Sequence, residues 1–335
     1  MRSTAVLRRM RLVPLLAAAS VVSTLSWARA DTPALDDILS SVVHVKTSIN
    51  PDGRSVATLG REREGAGVVI DDSGLIVTIG YIMVEAESAE VITNEGRAVP
   101  ANVVGYDHES GLGLLRAIAP LKVHALPLGR ANDLKADEPV VIVSYGGRDR
   151  LARAHVVSRR PFAGSWEYLL DDAIFTSPPV EDWSGAALID RTGKLVGLGS
   201  LVVGDADGHG DGPGNMFVPI DRLPPILADL IADGRASGPG RPWLGVITQE
   251  VGGRLIVAAV AGGGPAEKAG LRHGDIILSV GSAAPKDMAD FYRKIYAQGS
   301  AGVSIPLDIR RDDETQHFDV KSMNRLDHLR LKSTY

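Results

Sequence analysis

Short apolar segments alternate with turn-forming residues over much of the chain, and this alternation limits the possible folds more than any other feature. Between residues 35 and 220, turn signals include Asp71-Asp72-Ser73-Gly74 and Asp190-Arg191-Thr192-Gly193. The apolar segments include Gly67-Val68-Val69-Ile70, Leu75-Ile76-Val77-Thr78, Ala89-Glu90-Val91-Ile92-Thr93, Val140-Val141-Ile142-Val143 and Lys194-Leu195-Val196-Gly197-Leu198. Helical periodicity is clear only at residues 35–42 and 220–231. The pattern therefore predicts a mainly β region, either a barrel or a sandwich.

The composition excludes several classes of site. The chain has 335 residues, which favours about two domains, and it contains no cysteine. A disulfide framework, a zinc thiolate site and a thiol nucleophile are therefore excluded. The eight histidines are scattered, and none forms the i, i+4 pair of a metalloprotease helix. We expect no metal and no cofactor.

The first thirty residues have the features of a secretory signal peptide. Arginines precede an apolar run at residues 12–25, and Ala28-Arg29-Ala30 is a small-x-small cleavage site. A membrane anchor is the alternative, but the run is short and is interrupted by Pro14 and serines. Arg8-Arg9 is a weak indication of twin-arginine export. We expect cleavage after Ala30 and a periplasmic or secreted protein.

Cleavage would make the protein markedly acidic. The first thirty residues carry five arginines and no acidic residue, so their removal changes the net charge from −5 to −10. An acidic protein is a poor partner for nucleic acid or anionic lipid.

A second type of region begins near residue 243. Residues 233–242 are rich in glycine and proline, have no apolar period, and read as a linker. Beyond them we predict a mixed α/β domain at 243–323, with strands near residues 244–247, 255–260, 276–280 and 303–310 and helices near 266–269 and 287–298. The first domain would then span residues 31–232. The polar residues 324–335 are predicted to form a loose tail.

The second region resembles a PDZ domain of the Deg type. Gly263-Gly264-Pro265-Ala266-Glu267-Lys268-Ala269-Gly270-Leu271 is followed by His273-Gly274-Asp275-Ile276-Ile277-Leu278-Ser279-Val280-Gly281, and both resemble the core of such domains. The resemblance places Leu244, Gly245 and Val246 in the loop that binds a peptide's terminal carboxylate through backbone N–H groups. A helix with Met288, Phe291, Tyr292 and Ile295 would form the other wall of the peptide groove. Phe291 and Tyr292 are candidates to line it, although such a stripe is equally typical of core.

The first region resembles the trypsin-like domain of the HtrA/Deg serine proteases. Residues 65–78 resemble the entry into that family's histidine segment, and Leu195-Val196-Gly197-Leu198 and Met216-Phe217-Val218-Pro219-Ile220 resemble its closing strands. The resemblance implies two six-stranded β-barrels with the active site between them. It also implies a trimeric assembly of this chain or a mixed trimer with an active homologue.

The resemblance assigns the catalytic positions, and most of them hold an unsuitable residue. Tyr81 stands where the family has its general-base histidine, and a tyrosine with an ordinary pKa of about 10 is a poor base. Gly111 stands at the aspartate position and has no side chain to orient an imidazole. Ser184 aligns with the nucleophile, but Asp182 replaces the oxyanion-hole glycine. His108 is the one candidate for a relocated base.

We therefore predict an exported, proteolytically inactive HtrA-like protein. It would bind peptides or protein C-termini through the PDZ domain and unfolded envelope proteins as a chaperone, adaptor or regulator. The alternative is a serine endopeptidase with a rearranged or residual site. A third possibility is a structural subunit of a mixed oligomer.

Overall fold

The computed structural model describes residues 33–210 and 212–331. The predicted signal peptide lies outside the described residues. Within them, no helix combines the length and the apolar character needed to cross a lipid bilayer. Strands dominate, as the sequence predicts, and they form two closed barrels and one open sheet.

The first barrel has six antiparallel strands in the order β1-β2-β3-β6-β5-β4. The predicted helix at residues 35–42 is confirmed as α1 (Leu35–Ser41), which leads directly into the first strand. Two short helices, α2 (Val56–Leu59) and α3 (Gly80–Met83), lie between strands. The strands are β1 (Val42–Ile49), β2 (Glu62–Val69), β3 (Leu75–Ile79), β4 (Ala86–Ile92), β5 (Ala98–Tyr106) and β6 (Leu112–Ala117).

The second barrel also has six strands, in the order β10-β11-β12-β9-β8-β7. A short 3₁₀ turn (Ile220–Arg222) and helix α4 (Leu227–Asp233) follow it; they overlap the predicted helical region at residues 220–231, and α4 extends two residues beyond it. The strands are β7 (Pro139–Val143), β8 (Leu151–Gly164), β9 (Tyr168–Ser177), β10 (Ala187–Ile189), β11 (Leu195–Val203) and β12 (Gly214–Pro219). The largest buried cluster contains residues from both barrels, so the two barrels share a core.

Local turn chemistry explains why the strands begin and end where they do. In the β2–β3 turn the Asp71 carboxylate accepts a hydrogen bond from the Leu75 N–H at 2.9 Å, and Gly74 has a φ of +81°. Glycine adopts this left-handed conformation without the steric cost that other residues pay. All five residues of β3 are then buried. This turn and strand set the position of α3, which follows immediately.

The third sheet forms the second domain, with the order β13-β14-β15-β16-β17. Residues 234–242 contain no helix or strand and connect it to α4. Helices α5 (Pro265–Ala269) and α6 (Met288–Tyr296) correspond to the two predicted ones. The strands are β13 (Val246–Val251), β14 (Arg254–Val260), β15 (Ile276–Val280), β16 (Ser304–Arg311) and β17 (Glu314–Lys321), of which β17 was not predicted.

The predicted looseness of the tail is wrong for residues 324–331. Asn324 caps the short helix α7 (Arg325–His328) by accepting a hydrogen bond from the Leu326 N–H at 2.9 Å. The Arg330 N–H donates to the Glu85 carboxylate of the first barrel at 2.6 Å. The contact with Glu85, which is buried, holds the segment against the barrel.

Candidate functional site

The loop that carries Ser184 lies where the two barrels meet. The Ser184 carbonyl oxygen accepts a hydrogen bond from the Ala66 N–H of β2 at 2.8 Å. Residue 65 must be glycine for this approach, because a Cβ there would lie 2.7 Å from the Ser184 carbonyl oxygen and 2.9 Å from its Oγ. Gly185 has a φ of +73° and donates its N–H to the Gly199 carbonyl oxygen of β11 at 2.9 Å. The serine is thus fixed by both barrels.

Tyr81 comes from helix α3, and buried polar groups of the first barrel hold that helix. The Arg63 guanidinium donates to the Tyr81 carbonyl oxygen at 2.8 Å and to the Val84 carbonyl oxygen at 3.3 Å. The Thr47 hydroxyl donates to the Ile82 carbonyl oxygen at 2.5 Å. Sequence reasoning did not identify Arg63 or Thr47, because neither position has a distinctive pattern.

The structure brings Tyr81 and Ser184 together. The Tyr81 hydroxyl lies 2.9 Å from Ser184 Oγ and 3.2 Å from the Ser200 carbonyl oxygen. Burial raises the pKa of Tyr81 above its ordinary value, although the hydrogen bond with Ser184 acts in the opposite direction. The phenol is therefore protonated at neutral pH and cannot take a proton from the serine. The Trp183 ring packs edge-on against Tyr81, with the ring centroids 6.3 Å apart.

Gly111 lies directly behind α3, since its carbonyl oxygen accepts a hydrogen bond from the Gly80 N–H at 2.7 Å. Its φ is +78°, and a Cβ would lie 3.2 Å from the Tyr168 hydroxyl. An aspartate at this position would combine an unfavourable backbone conformation with a close contact.

Asp182 turns its carboxylate towards a cation. It forms an ion pair with Arg150, and both side chains are exposed. A carboxylate at the position of the oxyanion-hole glycine would repel a developing oxyanion, and the Arg150 guanidinium offsets part of the charge of Asp182.

His108 engages other groups through both ring nitrogens. Its Nε2 lies 3.0 Å from an Arg325 guanidinium nitrogen, and its Nδ1 lies 2.9 Å from the Tyr106 hydroxyl. Because a guanidinium only donates, Nε2 must accept, and the ring proton of the neutral imidazole resides on Nδ1. Burial lowers the pKa of His108 well below its ordinary value, and the charge of Arg325 lowers it further. Neither ring nitrogen is free to serve as a base for Ser184.

The loop at the start of the second domain presents three backbone donors to one carboxylate. Gly245 has a φ of +81°, and the Leu244, Gly245 and Val246 N–H groups converge. Their acceptor is Glu167, at 2.8 Å from Leu244, 2.5 Å from Gly245 and 2.7 Å from Val246. Glu167 lies in the β8–β9 hairpin of the second barrel, so the loop already holds a carboxylate from this chain.

Of the two aromatic groove candidates, Tyr292 contacts the same hairpin. Its hydroxyl donates to the Gly164 carbonyl oxygen at 2.8 Å and lies 3.3 Å from the Glu167 N–H. Phe291 is fully buried in the apolar core of the second domain. Tyr292 thus belongs to the core of the second domain and also contacts the β8–β9 hairpin.

Sequence reasoning missed Glu167, which is almost fully buried. Burial raises its pKa to about 7, while the N–H donors of Leu244, Val246 and Gly245 and the charge of Arg325 act in the opposite direction. No motif surrounds this residue, and the one unusual feature, a φ of +57°, is invisible in the sequence. In the described parts of the chain, no three metal-ligating side chains cluster as a metal site requires.

Two family profiles match this chain. A trypsin-like peptidase domain matches residues 65–198, and a PDZ domain matches residues 242–322. The match at residues 65–198 contains Tyr81, Gly111 and Ser184, and the match at 242–322 contains the Leu244–Val246 loop.

Curated relatives include a putative serine protease HhoA from Synechocystis sp., which is 27% identical over 302 residues, covering 81% of this chain and 74% of the relative. Probable periplasmic serine endoproteases of the DegP-like type are also similar. The one from Pseudomonas fluorescens is 29% identical over 78% of this chain and 57% of its own length. The one from Brucella suis is 26% identical over 78% of this chain and 53% of its own length. The chain thus spans a little over half the length of these two DegP-like relatives.

Solved structures of the HtrA-type protease AlgW share the fold. With a decapeptide, AlgW superposes with a TM-score of 0.53 at 18% identity, covering 90% of this chain and 100% of that one. With a tripeptide, the TM-score is 0.51 at 19% identity, covering 90% and 98%.

Proposed function

From the chain's membership of the HtrA/DegP-like serine protease family, with a trypsin-like peptidase domain and one PDZ domain, we propose that it is a peptide-binding protein of the cell envelope that does not hydrolyse peptide bonds. The observation that carries this proposal is the contact between the Tyr81 hydroxyl and Ser184 Oγ at 2.9 Å. The half-buried phenol of Tyr81 occupies the place from which a base would have to act.

Acyl transfer by Ser184 requires an acceptor for its proton. Tyr81 is protonated at neutral pH because burial raises its pKa, and it offers a donor where an acceptor is needed. Gly111 supplies no carboxylate to orient an imidazole, and His108 is engaged by Tyr106 and Arg325. Loss of one member of a serine triad costs several orders of magnitude in rate, so the combined losses leave little activity.

The PDZ domain supports the binding part of the proposal. Leu244, Gly245 and Val246 direct three N–H groups at one carboxylate, as recognition of a peptide C-terminus requires. The AlgW structures contain peptides, and the DegP-like relatives are named periplasmic. We extend both properties to this chain, with C-termini of proteins or unfolded envelope proteins as ligands. An assembly of three copies, or a mixed trimer with an active homologue, belongs to the same proposal.

The names of the relatives favour a second candidate, a serine endopeptidase with a rearranged or residual site. Incubation with a fluorescent fluorophosphonate separates the two, because this probe labels only an activated serine. We expect no labelling and no degradation of casein, with an active HtrA-type protease as positive control. Labelling that disappears in Ser184→Ala would contradict inactivity and establish the endopeptidase.

A further inference from the structure

Glu167 occupies the position of a peptide's terminal carboxylate. Its Oε1 accepts hydrogen bonds from Gly245 and Val246, and its Oε2 accepts one from Leu244. Three converging backbone donors form a site for the oxygens of a carboxyl group, which is the group that ends a peptide chain. The hairpin of the second barrel thereby supplies the group that the PDZ loop is shaped to bind.

The same hairpin also extends the PDZ sheet. Strand β13 lies at the edge of its sheet, with β14 on one side only. On the open side, the Val246 N–H donates to Glu167 and the Thr248 N–H donates to the Ser165 carbonyl oxygen at 2.9 Å. Backbone donors two residues apart point to the same side of a strand, so residues 165–167 lie along this edge as an added peptide strand would.

Leu169 adds the apolar part of a ligand. It is buried in the apolar cluster of the PDZ domain together with Leu244, Phe291 and Ile295. The other buried members of this cluster all come from residues 244–320. A carboxylate, a strand-like backbone contact and one aliphatic side chain are the three elements by which a PDZ groove recognises a C-terminus.

We propose that residues 164–169 are an internal ligand of the PDZ groove, and that a peptide C-terminus binds the intact protein only by displacing them. This inference rests on the proposed peptide-binding function. The hairpin and the peptide compete for the Leu244–Val246 donors and for the edge of β13. The apparent affinity for a peptide is therefore the intrinsic affinity multiplied by the fraction of molecules whose hairpin is undocked. The ligand class implied is a peptide with a free carboxylate and an aliphatic side chain near its end.

The test uses the full chain and the substitution Glu167→Gln. A glutamine keeps the size of the side chain, but its NH₂ group faces backbone donors that need an acceptor. The matched control is Glu95→Gln, at an exposed position in the β4–β5 turn. Two readouts are followed: hydrogen exchange of the amides of residues 244–250, and fluorescence anisotropy. The anisotropy probe is an equimolar pool of fluorescein-labelled decapeptides ending in leucine, as free acids and as amides.

We expect the Glu167→Gln chain to exchange these amides at least tenfold faster and to bind the acid pool at least tenfold more tightly than the wild type or the control. Adding the acid pool to the wild type should release residues 164–169, seen as faster exchange in that segment. If Glu167→Gln impairs folding, Tyr292→Phe, which removes the hydroxyl contacts to the hairpin, provides the same comparison through hydrogen exchange.

The outcomes separate the inference from the function on which it rests. Equal binding of the acid pool by the wild type and Glu167→Gln, with residues 164–169 still protected, overturns the internal ligand and leaves peptide binding intact. Rapid exchange in Glu167→Gln without binding of either pool overturns both, because the released groove then recognises no terminus.

Discussion

The Ser184 site and the PDZ groove are both filled by a side chain of this protein, but the two fillers are held differently. Tyr81 lies on a short helix between two strands of the first barrel, and Arg63 anchors its backbone. Glu167 lies in a turn at the end of a hairpin, and the groove itself supplies its partners. Tyr81 is part of the barrel and cannot leave the Ser184 site without rearranging the barrel. On our proposal, Glu167 is held through contacts that a peptide can replace, so the groove exchanges its occupant and the serine site does not.

The largest effect that would test this difference is expected from Leu169→Ala. Removing a buried leucine side chain costs about 2–5 kcal/mol, and here the loss falls on the contact between the hairpin and the PDZ domain. We expect faster hydrogen exchange at residues 244–250 and tighter binding of peptides with a free C-terminus. The matched control is Leu170→Ala, because Leu170 is buried in the barrel core one residue further along β9. Equal protection of the groove in both variants would show that Leu169 does not hold the hairpin.

A pH titration should give the next largest effect. Burial raises the pKa of Glu167 to about 7 in the docked hairpin, whereas a solvated glutamate has a pKa of about 4.3. Between pH values of about 4.3 and 7, the docked state therefore binds up to one more proton than the undocked state. Docking weakens as the pH rises, by at most about tenfold per pH unit. Peptide affinity should increase from pH 5 to pH 7 and then level off.

We assign this titration to Glu167 and not to its neighbours. Burial raises the pKa of Tyr292 above its ordinary value and holds the pKa of His108 well below its ordinary value. The Glu167→Gln protein should show no such rise in affinity, as followed by anisotropy over the same pH range. A rise of the same size in that variant would assign the effect to another group.

Local pattern predicted much of the fold and only part of the site. The β2–β3 hairpin follows from Asp71, Gly74 and an apolar strand, all within a few residues. Strand β17 was missed because its side chains are mostly polar and only Val320 is fully buried, so it lacks the alternation of a half-buried strand. The tail was predicted to be loose because it is polar, yet its Arg330 N–H donates a hydrogen bond to the Glu85 carboxylate.

The family resemblance placed Tyr81 and the Leu244–Val246 loop, but it did not predict what occupies them. Glu167 and Leu244 are 77 residues apart, and no periodicity links them. Arg63 reads as a charged residue on a strand, although it is buried and donates to the Tyr81 carbonyl oxygen. Contacts of this kind depend on how segments distant in sequence pack together, which neither hydrophobic pattern nor turn chemistry encodes.

The smallest effect is expected at the serine site, from Tyr81→Phe. This change removes one hydroxyl that contacts Ser184 and Ser200 and keeps the ring that packs on Trp183. A typical hydrogen bond contributes about 0.5–1.5 kcal/mol net, so the free energy of unfolding in urea should fall by that amount. The control is Tyr145→Phe. The Tyr145 ring stacks on His44, and phenylalanine keeps this ring, so the free energy of unfolding should change little. Fluorophosphonate labelling should stay absent in both variants, because uncovering Ser184 Oγ provides no acceptor for its proton. If Tyr81→Phe became labelled, the tyrosine would be a displaceable cover over a working serine, and the contrast between the two sites would no longer hold.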